Sequence, residues 1–184
     1  GTFCAACHGR KGEGMRYAGL PPFPAVGNPD FLAAASDEFL TATLKRGRPG
    51  RRMPAWGEKE GGLRPEEVRE VIAHLRTRGG GARPAPDPKP RRWVREDAED
   101  GRELFARNCA SCHGETGEGR EGTALRNRAF LESASDTYLV ETIRRGRRGT
   151  TMEGFEAGSP TRRALSPEEV GRVVSFIRTW EDKP

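Results

Sequence analysis

Residues 4–14 read Cys-Ala-Ala-Cys-His-Gly-Arg-Lys-Gly-Glu-Gly, and residues 109–119 read Cys-Ala-Ser-Cys-His-Gly-Glu-Thr-Gly-Glu-Gly. Together they hold all four cysteines and two of the three histidines. In each, two residues separate the cysteines and a histidine follows at once. A word that recurs in this way signals a duplicated unit. Outward from the motifs, Asn28 to Trp56 aligns without a gap to Asn127 to Phe155 at an offset of 99. Leu63 to Thr77 aligns with Leu165 to Thr179 at 102, whereas the motifs themselves stand 105 apart. The offset therefore changes only between matched blocks, where loops absorb insertions.

The repeat also dictates local structure. Ser36 and Ser135 precede acidic residues and predict helix N-caps. Lys45-Arg46-Gly47 and Arg144-Arg145-Gly146 predict the matching helix ends. Ser166-Pro167-Glu168-Glu169 predicts a capping box, with Arg64 a poorer cap at the equivalent place. Val68, Val71, Ile72 and Leu75 fall on one helical face, as do Val170, Val173, Val174 and Ile177. No segment alternates as a strand, so the fold class is all-α. Between the copies, Gly79–Pro90 carries prolines at 84, 86, 88 and 90 and reads as a semi-rigid, extended spacer. The expected organisation is a first domain over 1–78, a linker over 79–96 and a second domain over 97–184.

Only 34% of the 184 residues are hydrophobic and 32% are charged. Two small cores are hard to build from such side chains alone, so a buried cofactor is expected to supply apolar bulk. Four cysteines admit two disulfides, and Cys-x-x-Cys alone admits zinc or a redox dithiol. The histidine after each pair points elsewhere. A zinc ribbon places its cysteine pairs about 15–20 residues apart, and a thioredoxin-like site needs a βαβ context that is not visible. Covalent haem fits. On a helical turn the two thiols meet the two vinyl groups of one porphyrin edge, and the next residue turns its imidazole to the iron. Cys4, Cys7, Cys109 and Cys112 are the expected attachment points of two haem c groups, with His8 and His113 as axial ligands.

Both halves resemble class I c-type cytochrome domains, and the whole is similar to the tandem dihaem cytochromes c. The resemblance spans nearly the whole chain except the linker. It implies a few helices wrapped around each haem, a first helix leading into the motif and a last helix crossing it. Gly101-x-x-Leu104-Phe105-x-x-x-Cys109 fits that first helix. The first copy has only Gly1, Thr2 and Phe3 before Cys4, so the chain is expected to begin inside its domain, with further residues upstream. The resemblance also implies a methionine on the iron's second face, and Met53 and Met152 stand at equivalent places, 45 and 39 residues past their histidines. A thioether ligand raises the reduction potential. Met15 has no counterpart and is read as packing. In the resembled family a proline carbonyl receives the histidine's other N–H. The first copy offers Leu20-Pro21-Pro22-Phe23-Pro24, but the second has no proline between His113 and Met152, which leaves its acceptor open.

Trp56 and Phe155 are expected to pack in the haem pockets, and His74, aligned with Phe176, to be structural or partly exposed. Arginines cluster before each methionine: Arg46, Arg48, Arg51 and Arg52, then Arg144, Arg145, Arg147 and Arg148. They read as a solvated basic face, as partners for haem propionates, or as a docking surface for an acidic protein. The net charge is +5, distributed as +5 over residues 1–83, +2 over 84–96 and −2 over 97–184. Mixed signs beside haem motifs favour redox proteins over nucleic acid as partners. No run of about 18 apolar residues predicts a membrane span.

The expected function is electron transfer between redox partners, as a carrier or as a subunit of a membrane-associated respiratory or photosynthetic complex, without substrate chemistry. The rival is a dihaem enzyme of the peroxidase or thiosulfate-oxidising type. Haem attachment of this kind implies the periplasm or the outer face of a bacterial membrane.

Overall fold

The computed structural model describes residues 2–160 and 162–181, apart from the side chain of Thr2. Gly1, Thr161 and residues 182–184, which the expected domain boundaries include, lie outside the described residues. The chain is all-α. In order the helices are α1 (Thr2–His8), α2 (Pro29–Ala34), α3 (Asp37–Arg46), α4 (Pro65–Arg78), α5 (Ala98–Asn108), α6 (Ala110–His113), α7 (Arg128–Ser133), α8 (Asp136–Arg145) and α9 (Pro167–Arg178). Among the described residues extended pairing is limited to two isolated bridges, Gly146 with Glu153 and Ser159 with Arg162.

The expected caps form. The Ser36 hydroxyl accepts from the Phe39 amide at 3.1 Å, and that of Ser135 from the Tyr138 amide at 3.0 Å. Ser166 and Glu169 close a full capping box. Arg64 supplies only half of one, its amide donating to Glu67 at 2.8 Å, because an arginine side chain cannot accept. Two further caps, Asn28 and Asn127, start α2 and α7. Gly47 and Gly146 end α3 and α8 at φ 61° and 65°. There the backbone turns tightly against Met53 and Met152, leaving no room for a Cβ.

Each unit is organised by a buried arginine. Arg76, on α4, donates to the Leu32 and Ala35 carbonyls at 2.6 Å and to Asp37 at 2.6 Å. Arg178, on α9, repeats the set with Leu131 at 2.8 Å, Ala134 at 2.7 Å and Asp136 at 2.7 Å. Each guanidinium ties the last helix to the junction between the two middle helices, and each is 3% exposed. In the second unit α5 also crosses α9. Gly101 lies so close to the Arg172 carbonyl that no Cβ fits. Phe105 then packs on Phe176 and Trp180, with ring centroids 5.5 and 5.2 Å away. In the first unit the motif lies on α1 itself, and among the described residues no counterpart of α5 covers α4, where Val71 and Leu75 are half-buried and His74 is exposed.

The two units meet through equivalent faces. Phe39 stacks on Tyr138 at 4.4 Å. Around that stack Phe31 meets Tyr138 at 6.4 Å, and Phe130 meets Phe39 at 6.1 Å. The Asn28 side-chain amide donates to the Arg148 carbonyl, and that of Asn127 to the Pro49 carbonyl, both at 2.9 Å. Each contact has its mirror one repeat away, so the interface is pseudo-two-fold. The proline-rich segment between the units is anchored at both ends. Arg83 pairs with Asp37 at 2.9 Å. The Trp93 and Val94 amides donate to Asp136 at 2.6 and 2.8 Å, and the Trp93 indole donates to Thr137 at 2.8 Å.

Candidate functional site

The first motif lies on α1. The second spans the break between α5 and α6, with Cys109 between the two helices. Cys4 is exposed, while Cys7, Cys109 and Cys112 are half-buried, and none of the four is in a disulfide. His8, His113, Met53 and Met152 are likewise only half-buried, whereas the aliphatic residues behind them are closed off. Burial pushes the Cys109 thiol up to about 12, with the Cys112 thiol adding to the effect. Burial likewise lowers the His113 imidazole, helped by the charge of Arg147 and opposed by its hydrogen bond to Thr123. This apolar, cation-flanked setting suits a neutral imidazole with a lone pair to give to a metal.

The geometry of the two imidazoles carries most weight. His8 Nδ1 lies 2.9 Å from the Pro24 carbonyl, and His113 Nδ1 lies 2.7 Å from the Thr123 carbonyl. A carbonyl only accepts, so each Nδ1 donates and each Nε2 is left as the free lone pair. Pro24 and Thr123 are equivalent in the repeat, being 99 apart. The acceptor left open for the second unit is therefore Thr123. Proline is not required, because the accepting atom belongs to the backbone. Gly122 makes the approach possible, since a Cβ there would stand 2.8 Å from the His113 ring.

The loops that carry the methionines are closed alike. The Arg48 amide donates to the Met53 carbonyl at 2.8 Å and the Arg147 amide to the Met152 carbonyl at 2.7 Å. Phe155 is buried, with Arg162 3.8 Å above its ring, whereas Trp56 is half-buried and 6.0 Å from Phe3. Trp180 lies where a Cβ on Gly117 would overlap its ring, so it backs the loop after the second motif. Met15 is half-buried in the loop that its carbonyl closes with the Phe23 amide at 2.8 Å. Among the described residues no three His, Cys, Asp or Glu side chains gather as a metal site. Each motif thus presents two cysteines and one imidazole oriented through Nδ1, and the Met53 and Met152 loops are closed alike.

The family model for cytochrome c oxidase, cbb3-type, subunit III, matches residues 1–75 and again 96–177. The chain belongs to that family. As a member it is a tandem class I c-type cytochrome with two covalently bound haems. It is 33% identical to the cbb3-type cytochrome c oxidase subunit FixP of Bradyrhizobium sp. over 97% of its length, covering 58% of that protein. It is 28% identical to the subunit CcoP of Rhodobacter capsulatus, again over 97%, covering 59%. The chain thus spans under two-thirds of the length of these relatives. A solved reducing HAO-like protein complex of Kuenenia stuttgartiensis shares the fold, at a TM-score of 0.57 and 21% identity over 97% of this chain and 91% of that one.

Proposed function

We propose that this chain is the dihaem electron-transfer portion of a membrane-associated respiratory oxidase complex, on the extracytoplasmic face, and performs no substrate chemistry itself. The observation that carries the reading is the paired imidazole geometry, in which both Nδ1 atoms are spent on backbone carbonyls. The relatives' names supply the complex. Among the described residues no helix is long and apolar enough to cross a membrane.

In this reading Cys4 and Cys7 hold the first haem and Cys109 and Cys112 the second, whose irons supply the one-electron ferric–ferrous couple. His8 and His113 would hold the irons through Nε2. The carbonyls of Pro24 and Thr123 fix ring orientation and raise imidazole basicity. Met53 and Met152 would supply a neutral thioether ligand, which would favour the reduced state. The aromatic cluster of Phe105, Phe176 and Trp180 joins α5 to α9 and braces the loop after the second motif at Gly117.

A spectroelectrochemical titration of the haem-loaded chain tests this. Two haems per chain, each with the ferric methionine-to-iron band and neither binding carbon monoxide rapidly, is the expected result. One high-spin haem that binds carbon monoxide at once would transfer the reading to a dihaem enzyme.

A further inference from the structure

Asp136 and Asp37 hold equivalent places at the start of α8 and α3, yet their surroundings differ. The Asp136 side chain is 1% exposed and that of Asp37 is 44% exposed. Each gives one carboxylate oxygen to the buried arginine of its unit, Asp136 to Arg178 and Asp37 to Arg76. The difference lies at the other oxygen. In the second unit it accepts the successive amides of Trp93 and Val94. The same segment makes three further contacts. The Arg91 carbonyl accepts from the Asp136 amide at 2.7 Å, and the Trp93 indole donates to Thr137. Glu96 lies against Gly171, where a Cβ would meet its Cγ at 2.5 Å. Residues 91–96 thus form a strap across α8 and α9.

The first unit has the equivalent seat without the strap. Between α3 and α4 an open groove of about 650 Å³ is lined by Asp37, Glu38, Thr41, Arg69, Ile72 and Arg83, among others. The second Asp37 oxygen is held only by Arg83, at 2.9 Å, in a pair whose side chains are both exposed. Such a pair contributes little and is readily exchanged, so Arg83 holds the place of two amides without filling the groove. The Asp37 amide, unlike that of Asp136, has no acceptor among the described residues. Glu38 stands where the second unit has Thr137, and Arg69 where it has Gly171. Both are exposed, and neither has an ion-pair partner among the described residues.

We propose that this groove seats an extended segment of the same polypeptide, preceding Gly1, which gives two successive amides to Asp37 and a carbonyl to the Asp37 amide. Amide donors to a carboxylate make strong, charge-assisted bonds. The repeat argues for this occupant, because in the second unit the strap is the stretch that leads into the helix before the motif. The FixP relative also extends well beyond the part that this chain matches, which is 58% of it. The side chains of the groove set the occupant's chemistry. Glu38 calls for an N–H donor at the place of Trp93, from tryptophan, lysine or arginine, and Arg69 calls for an acidic residue three positions later. This seat uses no residue of the motifs or methionine loops, so it stands apart from the function proposed above.

The test uses the natural full-length polypeptide carrying a diazirine amino acid at Thr41. Illumination is expected to form a cross-link within one polypeptide, which mass spectrometry locates in the segment preceding Gly1. Hydrogen exchange should find two successive slow amides in that segment. Asp37→Asn keeps an acceptor for Arg76 but replaces the other oxygen with a donor. It should speed those two amides by about tenfold or more, the loss of one hydrogen bond to a charged group. Glu38→Lys, a change on the exposed surface, should lower the cross-link yield and decides alone if Asp37→Asn does not fold. A cross-link to a second copy or to another subunit would overturn the proposal, as would no cross-link at all. An upstream cross-link that neither substitution weakens would also overturn it, since the segment would then lie nearby without being held by these carboxylates.

Discussion

Arg178→Met removes the guanidinium that joins α9 to the α7–α8 junction, and the repeat supplies its own comparison in Arg76→Met. In the second unit Asp136 is 1% exposed. After the substitution it keeps the Trp93 and Val94 amides but has no counter-ion, and the Ala134 carbonyl loses its donor. The Leu131 carbonyl is spared, because Arg91 also donates to it at 2.8 Å. Stranding one charge of a buried pair costs about 3–5 kcal/mol, and the lost carbonyl bond about 1 kcal/mol, part of it already within the first figure. We expect about 4 kcal/mol. In the first unit the Asp37 side chain is 44% exposed and keeps Arg83. Arg76→Met therefore strands no charge, and its cost reduces to the bonds to the Leu32, Ala35 and Ala82 carbonyls, about 2–3 kcal/mol. Guanidinium denaturation of the haem-loaded chains, followed by helix circular dichroism and the methionine-to-iron band, measures both. Adding Asp136→Asn to Arg178→Met should recover stability by removing the uncompensated charge. If Arg178→Met costs no more than Arg76→Met, or if Asp136→Asn recovers nothing, the argument from burial is wrong.

Three further outcomes are expected. Met53→Ala and Met152→Ala should each abolish the ferric methionine-to-iron band of one haem, leave the other intact, and lower the altered haem's potential by more than one tenfold step, 59 mV. Phe39→Ala removes the ring stacked on Tyr138 and should cost about 3–5 kcal/mol. Because the ring sits at the interface, small-angle scattering should show the units separating before either unfolds. The Arg148 guanidinium, hydrogen-bonded to Asp30, holds the Asp30 carboxyl below its ordinary 3.8. The carboxyl is depressed on docking, so its contribution is complete above 3.8 and is lost as pH falls through the depressed value. Exchange of the Arg148 amide, bonded to Asp30 at 2.8 Å, should accelerate on that acid limb in the parent chain, and Asp30→Asn should remove the pH dependence.

The motifs, the duplication, the helix ends and the class were legible because each rests on local spacing or on identity between copies. Arg76 and Arg178 were hidden because a basic residue in the last turn of a helix ordinarily faces water. A signal for them existed nonetheless. The arginine, the alanine two residues before the aspartate, and the aspartate itself recur in both copies, and a charge kept at matched places within apolar surroundings marks an internal pair. The Thr123 acceptor was missed for another reason. A backbone carbonyl leaves no trace in residue type, so neither proline nor any other side chain marks the acceptor. The docking of Trp93 and Val94 was likewise unreadable, since its partner is one carboxylate 42 or more residues on.

The interface adds what neither copy holds alone. Two descendants of one domain meet through the same patch, as the halves of an isologous dimer do. Asn28 caps α2 through its oxygen and reaches Arg148 through its nitrogen, and Asn127 does the same for α7 and Pro49. One side chain therefore starts a helix in its own unit and grips the methionine loop of the other. The copies then diverge around this shared frame. Asp30 and Arg148 form an ion pair on one side of the pseudo-axis, while their equivalents, Ala129 and Pro49, carry no charge on the other. Such asymmetry retains the mutual orientation while giving the two sites different electrostatic surroundings. For the proposed transfer of electrons through two sites, that combination matters: the mutual orientation is set by packed rings and capped helices rather than by the proline-rich segment, and the potentials remain free to differ.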